Sequence, residues 1–315
     1  MAKYKIAVLD DYQGVALSMT DWSEVEAIAE VSVFRDHLQD EDKLVERLLP
    51  FDVVCVMRER TPLTRSIIER LPRLRLIAST GPANRSVDAS AAEERGIAVV
   101  GTGYFSAPAI EMTWALILGS ARNLAGEAAS LRQGGWQVSL GADLHGKTLG
   151  VLGLGRIGAK VAAIARAFDM QVIAWSQNLT EEAARAAGAR YVGKDELFRT
   201  ADFVTIHLIL SRRTKHLIGK HELSLMKRSA RLVNTSRGPI VDEAALVGAL
   251  ERGELAGAAL DVFDQEPLPR DHPFRTLPNV LATPHVGYVT ESLYRTFYAD
   301  TVRNILEWAR GNGLA

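Results

Sequence analysis

The chain of 315 residues is 47% hydrophobic and 24% charged, with a formal net charge of −1. Such a length accommodates two domains with separate cores, and the balanced charge leaves no electrostatic case for a nucleic acid or an anionic membrane as partner. No apolar run reaches bilayer length, the stretch at 114–119 being a piece of a buried helix.

In chain order, Met1-Ala2-Lys3-Tyr4-Lys5 enters a strand without a signal-like segment, so a cytoplasmic protein is expected. Apolar runs at 5–9, 31–34, 51–57, 74–78 and 97–100 predict strands. Helical patterns at 41–49, 64–71 and 86–95 lie between them. Continuous apolar strands separated by amphipathic helices predict a parallel sheet covered on both faces. The single cysteine, Cys55, falls inside the third run. There it reads as a structural thiol, it excludes an intrachain disulfide, and it suits a reducing compartment. A long helical pattern at 107–131 follows, ended by Gly134-Gly135-Trp136. A second α/β series then predicts strands at 149–154, 172–175, 203–208, 231–234, 258–262 and 280–282. The last helix, 291–310, carries Leu293, Phe297, Val302, Ile305 and Leu306, and by pattern alone it packs on either domain. The predicted fold class is α/β with two doubly wound parallel-sheet domains.

Within the second series stands Val151-Leu152-Gly153-Leu154-Gly155-Arg156-Ile157-Gly158, between an apolar strand and the helix-spaced run that follows. This is the G-x-G-x-x-G dinucleotide fingerprint in its required context. Gly153 permits the tight turn, Gly155 lets the backbone approach a pyrophosphate, and Gly158 lets helix and strand pack closely. The amides at the helix start face the phosphates, where the helix dipole favours negative charge.

Three further clusters sit just after predicted strands, where open α/β sheets place ligands. They are Asn234-Thr235-Ser236-Arg237-Gly238, Asp261-Val262-Phe263-Asp264-Gln265-Glu266-Pro267 and Thr283-Pro284-His285-Val286-Gly287. Singly, each reads better as a salt-bridging arginine, a solvated glutamate or a surface histidine. Together, downstream of a nucleotide fingerprint, they point to chemistry. A nicotinamide exchanges a hydride at carbon, but the substrate oxygen needs a proton donor or acceptor. Histidine suits that role, and a carboxylate partner orients its ring. Arginine offers a planar fork for a substrate carboxylate and polarises the adjacent carbonyl.

Taken together, the Gly153 fingerprint, Asn-x-x-Arg-Gly at 234–238, Asp-x-x-x-x-Glu-Pro at 261–267 and Pro284-His285 resemble the D-isomer-specific 2-hydroxyacid dehydrogenases. That family includes phosphoglycerate dehydrogenase and glyoxylate/hydroxypyruvate reductase. The resemblance covers nearly the whole chain. It implies that Arg237 binds and polarises the substrate, His285 is the acid/base, Glu266 is its partner, and Asp261 sits near the nicotinamide. It further implies a flavodoxin-like substrate-binding domain, 1–101 plus 289–315, into which a Rossmann dinucleotide-binding domain, 102–288, is inserted. A homodimer joined through the cofactor domain, near 111–124 and the loop beyond, is also implied.

By the same resemblance, Gly81-Pro82-Ala83-Asn84-Arg85-Ser86-Val87-Asp88 corresponds to the family's substrate loop, whose backbone amides can hold a carboxylate. Ala83 replaces its second glycine and Ser86 its asparagine. Arg58-Glu59-Arg60-Thr61-Pro62-Leu63-Thr64 resembles a stretch of phosphoglycerate dehydrogenases, so Arg58, Arg60 and Arg85 are candidates for a second anionic group on the substrate. Ordinary surface arginines fit equally well.

The fingerprint expects an Asp or Glu at the end of the next strand, on the adenosine ribose. Here Ser176-Gln177-Asn178 stand instead, with Glu181 and Glu182 further along. No Arg or Lys follows at once to compensate a 2′-phosphate, so the expectation is NAD, with NADP still open. Other cofactor contacts carried over by position are Arg156, Ile157, His207, Leu208, Thr214, Thr235 and Gly287. His207-Leu208-Ile209-Leu210 replaces the family's His-x-Pro-x. His37, His145, His216, His221 and His272 show no paired metal-ligand spacing and read as surface or loop residues. Glu266 argues against the related formate dehydrogenases, whose pattern has Gln there. The alternative function is a nucleotide-sensing corepressor-like scaffold of the same fold.

Overall fold

The computed structural model describes residues 4–312. Met1, Ala2 and Lys3 of the expected signal-free start lie outside them. The chain divides into two compact units, Met1–Phe105 with Val289–Ala315, and Ser106–Tyr288. The first holds β1 (Tyr4–Val8), α1 (Ser23–Ile28), β2 (Ala29–Val33), α2 (Glu41–Leu48), β3 (Val53–Val56), α3 (Arg65–Glu69), β4 (Leu76–Ser79), α4 (Ala89–Glu94) and β5 (Ala98–Gly101). The second holds α5 (Ala107–Ala121), α6 (Leu124–Arg132), β6 (Thr148–Leu152), α7 (Arg156–Ala167), β7 (Gln171–Trp175), α8 (Glu181–Ala186) and β8 (Arg190–Tyr191). It continues through α9 (Lys194–Thr200), β9 (Phe203–Ile206), α10 (Lys220–Leu225), β10 (Arg231–Asn234), α11 (Glu243–Glu251), β11 (Gly257–Leu260) and β12 (Val280–Ala282). Helix α12 (Glu291–Gly311) then belongs to the first unit.

Among the described residues of the first unit, five parallel strands run in the order β2-β1-β3-β4-β5. This is the flavodoxin-like order. β3 and β4 are buried at every position, as strands covered on both faces must be. On one face, Leu44, Val45 and Leu48 of α2, Ile67 and Ile68 of α3, and Ala91 and Ala92 of α4 pack with Val54, Val56 and Ile77. Burying a side chain of this size stabilises by about 1.5–3 kcal/mol. Helix α12, with Leu293, Phe297 and Ile305 buried, packs on β4 and α1. Asp40, Thr64 and Asp88 cap α2, α3 and α4 by accepting first-turn amides.

In the second unit seven parallel strands among the described residues run β12-β11-β10-β9-β6-β7-β8. The chain order reverses between β6 and β9, which is the switch point where doubly wound sheets place a dinucleotide. Strands expected at 149–154 and 203–208 end sooner, at Leu152 and Ile206. The helix expected over 107–131 is two helices. Asn123 takes left-handed φ 47° between the end of α5 and the start of α6. Asparagine is among the few side chains that accept this conformation, and the apolar periodicity running through 122–124 conceals the break. The two-residue β8 has no counterpart among the expected strands.

Candidate active site

The fingerprint glycines do three different things. Gly153, at the end of β6, has φ 95°, and a β-carbon there would stand 2.5 Å from the His207 carbonyl oxygen. A β-carbon on Gly158 would lie 2.1 Å from the Gly153 carbonyl oxygen, so α7 approaches the turn more closely than any other residue permits. At Gly155 the same construction meets nothing within 4 Å. Thr180 and Asp242 cap α8 and α11 through side-chain oxygens, whereas Gly155 offers α7 none. The first-turn amides of α7, at Arg156 and Ile157, therefore open onto a cradle clear of side chains. This fits a pyrophosphate.

Arg237 is carried by a turn that Asn234 builds. The buried Asn234 side chain donates to the Arg237 carbonyl (2.9 Å) and accepts from the Ser236 amide (3.0 Å). Ser236 Oγ donates to the Ile206 carbonyl (2.7 Å), tying the turn to β9, and Arg237 Nη1 donates to the Ser236 carbonyl (2.7 Å). Gly238 brings this turn against the segment after β11, since a β-carbon there would fall 2.1 Å from the Phe263 carbonyl carbon. The Phe263 amide in turn donates to Glu266 Oε1 (3.0 Å).

Glu266 Oε2 meets His285 Nδ1 at 2.5 Å, with the two side chains 32% and 24% exposed. Engagement of Nδ1 leaves Nε2 as the imidazole atom available to a ligand. Burial pushes the Glu266 carboxyl upward, but the hydrogen bond and charge of His285, the Phe263 amide and the Arg237 charge outweigh it, and the net shift is downward. The partner of His285 is thus a carboxylate at neutral pH. The His285 ring also meets Tyr288 edge to face, with centroids 5.4 Å apart. Asp261 is buried after β11 and accepts from Thr283 Oγ1 (2.6 Å), the Val286 amide (2.9 Å) and the Gly287 amide (2.7 Å).

The remaining cofactor candidates are placed more variously. Ser176 follows β7 half-buried, its carbonyl accepting the Leu179 amide, and Glu181 and Glu182 lie in the first turn of α8. His207 and Leu208 follow β9 beside the Gly153 turn. His207 Nε2 is 3.0 Å from Thr205 Oγ1, and burial pushes its imidazole down to about 4. Thr214 Oγ1 donates to the Ile209 carbonyl (2.7 Å), closing the loop after β9. Thr235 Oγ1 is 2.8 Å from Thr113 Oγ1 on α5. Asn234, Phe263 and Thr283 stand in the three clusters with no role expected of them, and Tyr288 and Thr113 lie outside those clusters. Only Asn234 carries a sequence signal, as a short polar side chain that hydrogen-bonds the backbone two residues on.

In the first unit, Arg58 has left-handed φ 53°. Its Nη1 donates to the Thr80 carbonyl (3.2 Å), and the guanidinium lies against Gly81, 5.3 Å from the Tyr104 ring centroid. The Gly81 amide donates to Thr102 Oγ1 (2.7 Å), and Pro82 has no N–H. Of these three loop residues, only Ala83 therefore has an amide to offer an anion. Arg60 Nη1 donates to the Asp10 carbonyl (2.7 Å), Nη2 reaches the Tyr294 hydroxyl (3.4 Å), and the guanidinium lies 4.6 Å from the Tyr12 ring centroid. Arg85 is exposed. Two of the histidines read as surface or loop residues lie in loops but are largely covered. The His37 side chain is only 8% exposed and contacts Asp10, and that of His272, 15% exposed, contacts Glu243. In both, a nearby carboxylate satisfies the imidazole and makes burial affordable.

Residues 114–287 match the D-isomer specific 2-hydroxyacid dehydrogenase, NAD binding domain. D-3-phosphoglycerate dehydrogenase of Methanocaldococcus jannaschii is 39% identical over 309 residues, 96% of this chain, and the chain spans 57% of that protein's length. Hydroxypyruvate reductase of Thermotoga maritima is 35% identical over 313 residues, covering 98% of this chain and 99% of that one. The crystal structure of phosphoglycerate oxidoreductase from Vibrio cholerae superposes with a TM-score of 0.93 at 35% identity, covering 98% of this chain and 99% of that one. No helix among the described residues is long and apolar enough to cross a membrane. The chain belongs to the D-isomer-specific 2-hydroxyacid dehydrogenase family, NAD-dependent oxidoreductases acting on the CH–OH group of 2-hydroxy acids.

Proposed function

We propose that this chain interconverts a small 2-oxo acid and the corresponding D-2-hydroxy acid, with Arg237, Glu266 and His285 as the working side chains. The balanced reaction is 2-oxo acid + NADH + H⁺ ⇌ 2-hydroxy acid + NAD⁺. The observation that carries this reading is the His285–Glu266 contact of 2.5 Å, joined to the Arg237 turn through the Phe263 backbone. Bound NADH supplies the hydride to the carbonyl carbon. His285, held by Glu266 at Nδ1, gives its Nε2 proton to the carbonyl oxygen as that oxygen becomes a hydroxyl, and takes it back in the oxidative direction. Arg237 pairs with the substrate carboxylate through its planar fork and draws electron density from the adjacent carbonyl. Gly153, Gly155, Gly158 and the amides of Arg156 and Ile157 hold the pyrophosphate. Substrate contacts from the first unit are Arg58, Arg60 and the loop at 81–83. The corepressor-like scaffold gains no support from a proton donor and a carboxylate-binding arginine kept in contact order.

The finer readings follow from chemistry on the same unit. Ser176 offers no carboxylate to the adenosine ribose and no cation to a 2′-phosphate, which supports NAD over NADP. Helix α6 has no buried residue, and Leu131, Trp136, Val138 and Leu140 are 61–100% exposed. Glu127 meanwhile satisfies the Val138 and Ser139 amides. An arm with its backbone satisfied internally and its apolar side chains outward supports a homodimer joined here through the cofactor domain. The buried thiol of Cys55 supports a reducing, cytoplasmic setting.

The deciding experiment is a matrix of NADH and NADPH against glyoxylate, hydroxypyruvate, pyruvate and a phosphorylated 2-oxo acid. We expect turnover with NADH on at least one of them, and inactivity on all would remove the proposal. His285→Ala should lower kcat by about 10²–10⁴-fold while NADH binding persists. Arg237→Lys should lower kcat/KM by about 10–100-fold, because an ammonium cannot make the paired contact. Wild-type turnover in either variant contradicts its assigned role.

A further inference from the structure

We infer that Asn84 is the positioning residue of Arg58: it fixes the left-handed backbone from which Arg58 lays its guanidinium against the substrate loop. The inference rests on the reading of Arg58 as a substrate contact and adds a residue that acts through it. Arg58 has φ 53°, a conformation unfavourable for a residue with a β-carbon. Such a residue persists only where its surroundings hold it. Here the segment 79–86 holds both its N–H and its C=O. The Arg58 amide donates to Thr80 Oγ1 at 2.7 Å, and the Arg58 carbonyl accepts from Asn84 Nδ2 at 2.5 Å. Asn84 Nδ2 also donates to Ser79 Oγ at 3.0 Å. Its Oδ1 accepts the Ser86 amide at 2.9 Å and the Ser86 hydroxyl at 2.6 Å. The two donors and two acceptor positions of an amide side chain are thereby filled.

This network accounts for both substitutions that set the loop apart. Ser86, which stands for an asparagine, donates to Asn84, so the amide side chain has moved two residues earlier in the loop. Ala83, which stands for a glycine, is not among the residues with left-handed φ, so its β-carbon brings no backbone strain. What the loop offers an anion changes with it. The Gly81 amide is engaged by Thr102 Oγ1, whereas the Arg58 guanidinium lies directly against Gly81. A β-carbon on Gly81 would fall 1.6 Å from Arg58 Nη1, so glycine leaves the space that the guanidinium fills. Nη1 donates to the Thr80 carbonyl at 3.2 Å, which orients a planar fork of five N–H donors. A forked cation thus stands where backbone amides would otherwise meet a carboxylate.

A double-mutant cycle on hydroxypyruvate, or on glyoxylate where that is the acid turned over, tests this. Arg58→Ala should raise KM about 10–100-fold and change kcat far less, the mark of lost substrate binding. Asn84→Ala should raise KM about 10-fold with the same split, while NADH affinity by fluorescence titration stays at the wild-type value. In the Arg58→Ala background, Asn84→Ala should add less than about 2-fold, because the side chain it positions is gone. Asn84→Ser can keep the Ser86 amide but is too short to reach the Arg58 carbonyl. It should match Asn84→Ala, and it covers the case in which Asn84→Ala does not fold. A wild-type KM in Asn84→Ser would mean that Asn84 serves the loop alone, and would overturn the inference. The full Asn84→Ala effect added on top of Arg58→Ala would overturn it too, since Asn84 would then act without Arg58. Arg58→Ala by itself tells the two readings apart. A wild-type KM there removes the substrate reading of Arg58 and the inference with it, whereas a raised KM beside an unaffected Asn84→Ala removes the inference alone.

Discussion

Two histidines stand at strand ends of the second unit, and their surroundings separate them. His285 has a carboxylate against Nδ1, whereas His207 has only the neutral Thr205 hydroxyl against Nε2. Burial pushes His207 from 6.5 down to about 4, so it is neutral at pH 7 and carries no proton to the chemistry. The unfolded chain binds a proton near pH 6.5 that the folded chain refuses until about pH 4. Stability attached to His207 is therefore present above pH 6.5 and lost as pH falls through that window, by about 2 kcal/mol on reaching pH 5. Urea unfolding of the wild type and of His207→Gln at pH 7 and pH 5 checks this. The variant should lose less on acidification, and parallel losses contradict the burial account. Arg237, Glu266 and His285, the side chains proposed to act, stand out in the sequence as polar residues placed just after apolar runs. Asp261 looked like another strand-end acid, since its three partners lie 22–26 residues away and adopt their places only once β11 and β12 pair.

At the scale of elements, strand, turn and helix at 148–167 follow the local sequence closely. Each glycine of the fingerprint answers a need that can be stated from neighbouring residues alone. Gly158→Ala and Gly155→Ala should therefore differ in kind. The first forces a β-carbon to within 2.1 Å of the Gly153 carbonyl oxygen and should cost about 1–3 kcal/mol in stability. The second sits at ordinary φ −82° with open space before it. Its folding cost should stay within about 1 kcal/mol, the scale of a changed N-cap. NADH affinity should nevertheless drop, because the added methyl points into the cradle. Equal effects on stability, or none on NADH titration, contradict this division of labour. The α5–α6 boundary was not legible. Apolar spacing continues across 122–124, and one residue's tolerance of left-handed φ is a weak signal against a long period.

For the whole molecule, alternating apolar strands and amphipathic helices already implied two parallel sheets, and the β-branched runs at β3 and β9 are part of why. Strand order was not legible, because a sheet's permutation depends on crossovers that local pattern does not encode. The exposed arm at 124–140 is where an assembly prediction belongs. Trp136→Asp with Leu140→Glu should convert a dimer to a monomer in analytical ultracentrifugation while the thermal midpoint of the isolated chain hardly moves. A monomeric wild type at micromolar concentration contradicts the assignment.

The first unit is assembled from two lengths of chain, and the second from one. Ser106–Tyr288 is contiguous, whereas the β1–β5 sheet receives α12 only from residues 291–311. During synthesis from the N-terminus, the earliest strands to leave the ribosome must therefore wait longest for their cover. β4 and α1 remain without the apolar face of Leu293, Phe297 and Ile305 until the whole of the other unit has been made. The nascent chain thus completes its later-made sheet first, and a pause in translation near residue 290 exposes the partly covered earlier one.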